Sequence, residues 1–303
     1  MGILRKIKSL IYNYKWNKWR NEEYVSDENP IIIGGCGRSG STLFRLMIDS
    51  HPDICIGPES SLFPSNLEND WLGRPTGIPN WSTLSTKFDI EIQQIQRLRK
   101  ELQSQSEFIE KFFMIYTQKM AKKIWGDKSP RNIRVISYIF KHFPRARFIH
   151  MIRDGRDVVC SLRTHPKYKK INDELVELAT RNPIDLCIKR WVDDVNMGLA
   201  WRGDPRYFEV RYEDLVHDPE TTLRHVCSFL GVTFDAQMLE HHKVKGGSRD
   251  HSKFIQNQDA MSQINFNSLQ RWQKELTEDE KDLFKKEGGD LLIKLGYVKD
   301  NSW

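Results

Sequence analysis

The sequence predicts an α/β fold, a P-loop-like parallel sheet covered by helices on both faces. Three observations carry this expectation. Apolar runs recur at Ile31–Gly35, Arg147–Ile152 and Tyr207–Arg211. Each is followed by a segment with helical spacing, and the first two end in turns rich in glycine and arginine. Strands that alternate with helices pair in parallel, and strands buried on both faces read as continuous apolar runs.

The bulk composition agrees. Of 303 residues, 39% are hydrophobic and 29% charged, enough apolar material for a sizeable core. The net charge of +6 includes no long Lys/Arg block, so no nucleic-acid partner is expected; the balance suits a small anionic ligand. The five cysteines (Cys36, Cys55, Cys160, Cys187, Cys227) are odd in number and form no CxxC pair. That argues against a disulfide framework or a zinc site, and for small buried side chains in a reducing compartment.

Residues 1–29 read as a basic amphipathic N-terminal segment and residues 30–303 as one domain. Met1–Arg20 mixes Arg5, Lys6, Lys8, Lys15, Lys18 and Arg20 with Ile3, Leu4, Ile7, Leu10, Ile11 and Tyr14, without an acid. Charge interrupts the apolar residues too often for a signal peptide. Two readings stay open: an amphipathic helix on an anionic membrane surface, or a helix packed on its own domain or on a second subunit. No run of 18 apolar residues marks a membrane span, so a cytoplasmic or peripheral-membrane location is expected.

From Pro30 the elements follow in order. Ile31–Gly35 is a buried strand, Ser41 to about Asp49 a helix and Ile54–Ile56 a short strand. Asn66–Ser85, with Trp71, Gly73, Pro75, Gly77, Pro79 and Trp81, reads as an irregular excursion, a lid or a wall of an acceptor cleft. About Asp89 to Lys122 has helical spacing. A strand is expected at Lys123–Gly126, a helix from Arg131 to Phe143 stopped by Pro144, a strand at Arg147–Ile152 and a helix at Asp157–Thr164. Pro183 opens a long helix to about Trp201, followed by the strand Tyr207–Arg211. Helices close the chain at Pro219–Leu230, near Asn267–Gln273 and at Glu278–Leu295.

Two segments carry chemistry. Between the first strand and helix stands Gly34-Gly35-Cys36-Gly37-Arg38-Ser39-Gly40-Ser41-Thr42-Leu43. Glycines let backbone N–H groups approach an anion, and the helix N-terminus adds a favourable dipole. Gly35, Gly40 and Thr42 match the spacing of GxxxxGK[ST], but Ser41 stands in the lysine position, and no strand ending in Asp stands out for magnesium. Both points argue against nucleoside triphosphate hydrolysis. The second segment, Arg153-Asp154-Gly155-Arg156-Asp157-Val158-Val159-Cys160-Ser161, follows the second strong strand. A helix starting near Gly155 brings Ser161 round towards Arg153, so that guanidinium and hydroxyl can share one phosphate. Both segments lie at the C-terminal ends of strands, where open α/β sheets bind ligands.

With these motifs in hand, the chain resembles the superfamily of sulfotransferases that use 3'-phosphoadenosine-5'-phosphosulfate (PAPS), and within it is most similar to the tyrosylprotein sulfotransferases. The resemblance runs from Pro30 to Trp272. It takes in Gly37–Leu43, His51-Pro52-Asp53, Gly57-Pro58-Glu59-Ser60-Ser61, Asp127-Lys128-Ser129-Pro130, Phe148–Leu162, Tyr212-Glu213-Asp214-Leu215 and Asn265–Trp272. It implies that Arg38, Ser39, Gly40, Ser41 and Thr42 hold the 5'-phosphosulfate and that Arg153 and Ser161 hold the 3'-phosphate. Tyr212 would lie along the nucleotide, with Arg271 in the place of a family lysine. Glu59 falls at the position of the general base, and Lys128 at that of the lysine reaching the transferring group. Arg38 and Lys128 would stabilise the leaving phosphate. No metal is required, and 3'-phosphoadenosine-5'-phosphate (PAP) would be the product. The family also suggests a homodimer.

Two departures stand out. The stretch Gly246–Ile264 does not match the family's serine-bearing segment, and the N-terminus lacks the anchor of the animal Golgi enzymes. Protein tyrosine is the first acceptor expected; a carbohydrate, lipid or small-molecule hydroxyl stays open. A P-loop kinase or NTPase, and a nucleotide-binding module without catalysis, are the readings from other classes.

Overall fold

The computed structural model describes residues 23–63, 81–164, 167–171, 174–178, 181–243 and 266–303. The N-terminal basic stretch, most of the Asn66–Ser85 excursion, the Gly246–Ile264 stretch and Asn265 lie outside the described residues.

Five parallel strands form the central sheet: β1 (Ile31–Gly35), β2 (Ile54–Ile56), β3 (Ile124–Lys128), β4 (Arg147–Ile152) and, late in the chain, β7 (Tyr207–Arg211), in the order β2-β3-β1-β4-β7. β1 lies between β3, with Ile33 beside Lys128, and β4, with Gly35 beside Met151. Its apolar run is long because both faces are covered. Ile32 points into one cluster with Trp125 and Phe148, whereas Ile31 and Ile33 point into another with Ile149, Met151 and Val210. Period-two alternation thus feeds two cores.

The first face is covered by α2 (Trp81–Phe88), α3 (Ile92–Glu101), α4 (Gln105–Lys119) and α5 (Ile136–His142); the second by α1 (Ser41–Asp49), α8 (Tyr212–His217) and α9 (Pro219–Leu230). A third cluster joins Ile152 to α6 (Gly155–Arg163), α7 (Ile184–Leu199) and α11 (Glu278–Lys294). The expected fold class is borne out. All five cysteines are buried, and none is in a disulfide. Among the described residues no helix is long and apolar enough to cross a membrane.

Several boundaries differ from expectation, each for a local reason. The Asp89–Lys122 stretch is two helices, α3 and α4. Leu102 is extended, and the Ser104 hydroxyl caps α4 by accepting the Glu107 N–H at 3.0 Å. The far end of the Asn66–Ser85 excursion is already helix α2. The Arg131–Phe143 helix begins as a 3-10 turn, Pro130–Arg134, and breaks at Val135, where φ is −134°. Asn132 in that turn donates to Ile33 O (3.1 Å) and to Asp127 (2.8 Å), tying the turn to two strands.

β3 runs to Lys128, not to Gly126, and carries Asp127 one residue before its end. Its Asp127 carboxylate is fully buried and committed to Asn132. The Asn267–Gln273 helix is reduced to α10 (Trp272–Glu275), preceded by turns. Between α6 and α7 lies an antiparallel hairpin, β5 (Lys167–Ile171) with β6 (Glu174–Leu178), which the sequence reading leaves unassigned.

The chain enters the domain before Pro30. Ser26 N–H donates to His142 O (2.8 Å), and the Tyr24 hydroxyl donates to Glu110 (2.9 Å).

Candidate active site

The loop after β1 makes two turns through the left-handed region. Arg38 has φ 73° and Gly40 φ 82°. A Cβ on Gly40 would lie 2.1 Å from the Tyr212 ring, so only glycine lets the loop pass beneath that ring. Arg38 is a non-glycine residue held in a sparsely populated conformation, which marks a site where the surroundings dictate the backbone.

The two anion segments meet. Arg38 Nε donates to Ser161 Oγ at 2.9 Å, and Arg153 Nη1 donates to Arg38 O at 3.1 Å. The Arg153 guanidinium lies over the Tyr212 ring, 4.7 Å from its centroid, and Nη2 donates to Ser268 O. The Tyr212 hydroxyl pairs with Ser268 Oγ at 2.6 Å. α6 starts at Gly155 because the Asp154 carboxylate accepts the Arg156 N–H (2.9 Å) and because Gly155 packs under Trp191, where a Cβ would come within 2.5 Å of the indole. Ser39 Oγ and Arg153 Nε are buried and lack a hydrogen-bond partner. Orphaned buried donors beside a left-handed loop and a helix N-terminus fit an anion, since such groups otherwise cost free energy.

On the other side of β1, Lys128 Nζ donates to Glu59 Oε1 at 2.5 Å and lies 3.4 Å from Thr42 Oγ1. The Lys128 side chain is 3% exposed and that of Glu59 44%, so the carboxylate is the open member of the pair. Glu59 is held by its loop: Ser129 Oγ accepts the Ser61 N–H (3.1 Å), Gln105 donates to Leu62 O (2.7 Å) and Lys87 donates to Glu59 O (2.9 Å). Burial alone would raise the Glu59 carboxyl; the Lys128 ammonium overrides it and holds the group below the usual carboxylate range. Burial lowers Lys128, against the pull of Glu59.

The structure therefore brings Arg38, Ser39, Gly40, Ser41, Thr42, Glu59, Lys128, Arg153, Ser161 and Tyr212 to one edge of the sheet, at the strand C-termini. Arg271 is the exception. Its guanidinium is engaged by Glu275 at 2.8 and 2.9 Å, and only its backbone neighbours reach the cluster: the Gln270 and Trp272 N–H groups donate to Asp157 at 2.9 and 3.1 Å.

Three residues escape the sequence reading. Arg45 is a fully buried guanidinium that donates to Ile56 O (3.1 Å) and whose charge acts on both Glu59 and Lys128. The signal for it was an arginine within the apolar sequence of α1. Asp157 and Ser268 hold the wall beside Arg153; Asp157 stood in the motif, and Ser268 lay in the Asn265–Trp272 segment of the resemblance with no role assigned to it.

The sequence profile described as the Sulfotransferase family matches residues 30–236. The protein-tyrosine sulfotransferase of Drosophila melanogaster is 27% identical over 274 residues, 84% of this chain and 51% of its own length. Protein-tyrosine sulfotransferase 1 of Homo sapiens is 27% identical over 255 residues, 82% of this chain and 64% of its own. The chain thus spans about half to two thirds of the length of these curated relatives.

Among solved structures, the sulfotransferase domain of the Synechococcus PCC 7002 olefin synthase is similar with a TM-score of 0.64 and 22% identity, over 88% of this chain and 97% of that one. Mouse sulfotransferase SULT7A1 complexed with PAP is similar with a TM-score of 0.50 and 13% identity, over 91% and 90% of the two chains. At these identities the likeness is one of fold.

Proposed function

Because this chain belongs to the sulfotransferase family, we propose that it transfers a sulfuryl group from PAPS to an acceptor hydroxyl, that of a protein tyrosine, by in-line displacement. The observation that carries the reading is the meeting of the two anion segments across β1 and β4, with Arg38 on Ser161 and Arg153 on Arg38 O. One nucleotide bearing anions at both its 5' and 3' ends suits two such adjacent cradles. A solved fold relative, mouse SULT7A1, was crystallised with PAP. The tyrosine acceptor is supported by the names of the curated relatives.

In this reading the residues divide three tasks. Glu59, ionised and open, receives the proton of the acceptor hydroxyl; a tyrosine has a pKa of roughly 10, so a base assists attack. Lys128 and Arg38 neutralise the charge that develops on the leaving phosphate, with Thr42 beside Lys128. Arg153, Ser161 and Tyr212 orient the donor, and Arg271 joins them once freed from Glu275. Catalysis is then chiefly positioning and electrostatics.

The test is direct. Incubation with PAPS and a tyrosine-containing peptide is expected to add one sulfuryl group per modified peptide, detected by mass spectrometry, and a phenylalanine peptide is expected to stay unmodified. Transfer to glycans or small phenols but not to tyrosine peptides would overturn the acceptor while keeping the donor.

A further inference from the structure

We infer that Trp303 is a positioning residue for the nucleotide: it fixes Trp272, and through it the Ser268–Trp272 turn that aims Arg153. The inference rests on the donor site proposed above.

Among the described residues the main-chain bonds of the turn are local, such as Leu269 N–H to Phe266 O (3.0 Å) and Gln273 N–H to Gln270 O (3.2 Å), and Gln270 sits at φ 56°. Yet the turn supplies the carbonyl that receives Arg153 and the hydroxyl that pairs with Tyr212. Its placement therefore depends on side chains from outside it. Asp157 provides one anchor, through the Gln270 and Trp272 N–H groups.

The second anchor is a corner of two indoles. Trp272 and Trp303 meet edge to face, with centroids 5.3 Å apart and planes at 82°. The Arg156 guanidinium fills the angle between them, 3.9 Å from the Trp272 centroid and 4.5 Å from that of Trp303. Arg156 is itself buried and fixed on Asp154 by Nε and Nη2 at 3.0 and 2.7 Å. A guanidinium over one ring can slide along it; a second ring at right angles removes that freedom. Trp303 is backed by Phe284 of α11, 6.2 Å away, and α11 starts from a complete capping box at Thr277 and Glu280. Trp303 thus couples a firm helix to a turn that is otherwise held by Asp157, by Arg156 on Trp272 and by Leu269 against the core of the second face. Removing it frees Trp272 to shift, and Ser268 O to move away from Arg153.

The experiment compares wild type with Trp303→Ala and Trp303→Phe, by calorimetric titration of PAP and of adenosine 5'-phosphate, which lacks the 3'-phosphate. KM and kcat for PAPS are measured alongside. Trp303→Ala is expected to weaken PAP about tenfold, the scale of one weakened charge-assisted hydrogen bond. Adenosine 5'-phosphate affinity should change less than about twofold, kcat at saturating PAPS should hold, and Trp303→Phe should recover most of the loss. Should Trp303→Ala fail to fold, Trp303→Leu, which keeps apolar volume but no ring face, is read in its place. If wild type binds PAP and the variants bind it equally, or if both nucleotides weaken alike, the positioning role is wrong and the donor site stands. If wild type does not bind PAP, the donor reading fails and this inference with it.

Discussion

The 2.5 Å contact between Glu59 and Lys128 couples the ionisation of both residues. Lys128 holds Glu59 below the usual carboxylate range, and Glu59 opposes the lowering that burial imposes on Lys128. A carboxylate whose pKa is depressed is ionised above that pKa and takes up a proton as pH falls through it. Activity that depends on Glu59 as a base should therefore persist below roughly pH 4.3, the ordinary glutamate value, as long as the fold does. Glu59→Gln keeps the shape and removes the base, so kcat should fall about 10²–10⁴-fold with PAP affinity unchanged. Lys128→Ala should lower kcat more than it raises KM for PAPS. Turnover of Glu59→Gln within twofold of wild type would sink the assignment. Glu59 and Lys128 were singled out in the sequence through the resemblance to the tyrosylprotein sulfotransferases, whereas their pairing was not legible there. Nor was the role of Ser268: it comes from a turn far along the chain that folds back onto Arg153, and no local pattern announces such a contact.

Among the elements, the loop after β1 and strand β4 make the sharpest predictions. Gly40→Ala combines a left-handed backbone with a Cβ only 2.1 Å from the Tyr212 ring, so loop and ring cannot both keep their places. Loss of PAP binding with retained helical circular dichroism is expected; normal PAP affinity would contradict the loop geometry.

His150 on β4 is fully buried, bonded through Nδ1 to the Tyr207 hydroxyl at 2.6 Å, and burial pushes its pKa down to about 3. The unfolded chain takes up this proton near pH 6.5, so its contribution to stability is complete above that and is lost as pH falls towards 3. Between pH 7 and 4.5 wild type should lose roughly 2 kcal/mol more than His150→Gln in urea unfolding. Equal losses would remove His150 from the acid sensitivity. Strands and long helices were legible because both sheet faces demand apolar residues. The helix break at Ser104 was visible in retrospect as a serine three residues before Glu107, a capping pattern inside an otherwise helical stretch. The β5–β6 hairpin was not, because its Lys- and Glu-rich strands lack the apolar run that marks β1 or β4.

For the whole molecule, strand order explains the site. β1 lies between β3, which ends in Lys128, and β4, which leads to Arg153. A ligand on the loop after β1 therefore has the Glu59–Lys128 pair on one side and the Arg153–Ser161 cradle on the other, without any long-range adjustment. The parallel order itself was legible from alternating strands and helices; the neighbours of β1 were not, since crossovers leave no mark in local sequence.

The central claim is that this edge of the sheet is built for a 3'-phosphorylated nucleotide. Thermal unfolding with PAP, ADP or ATP–magnesium, on wild type and Arg153→Ala, tests it most directly. At a hundred times its Kd, PAP should stabilise the wild-type fold by about 2.7 kcal/mol, with Arg153→Ala abolishing the shift and ADP giving far less. A shift with ATP–magnesium equal to or larger than that with PAP would contradict the account and return the chain to the nucleoside triphosphate class.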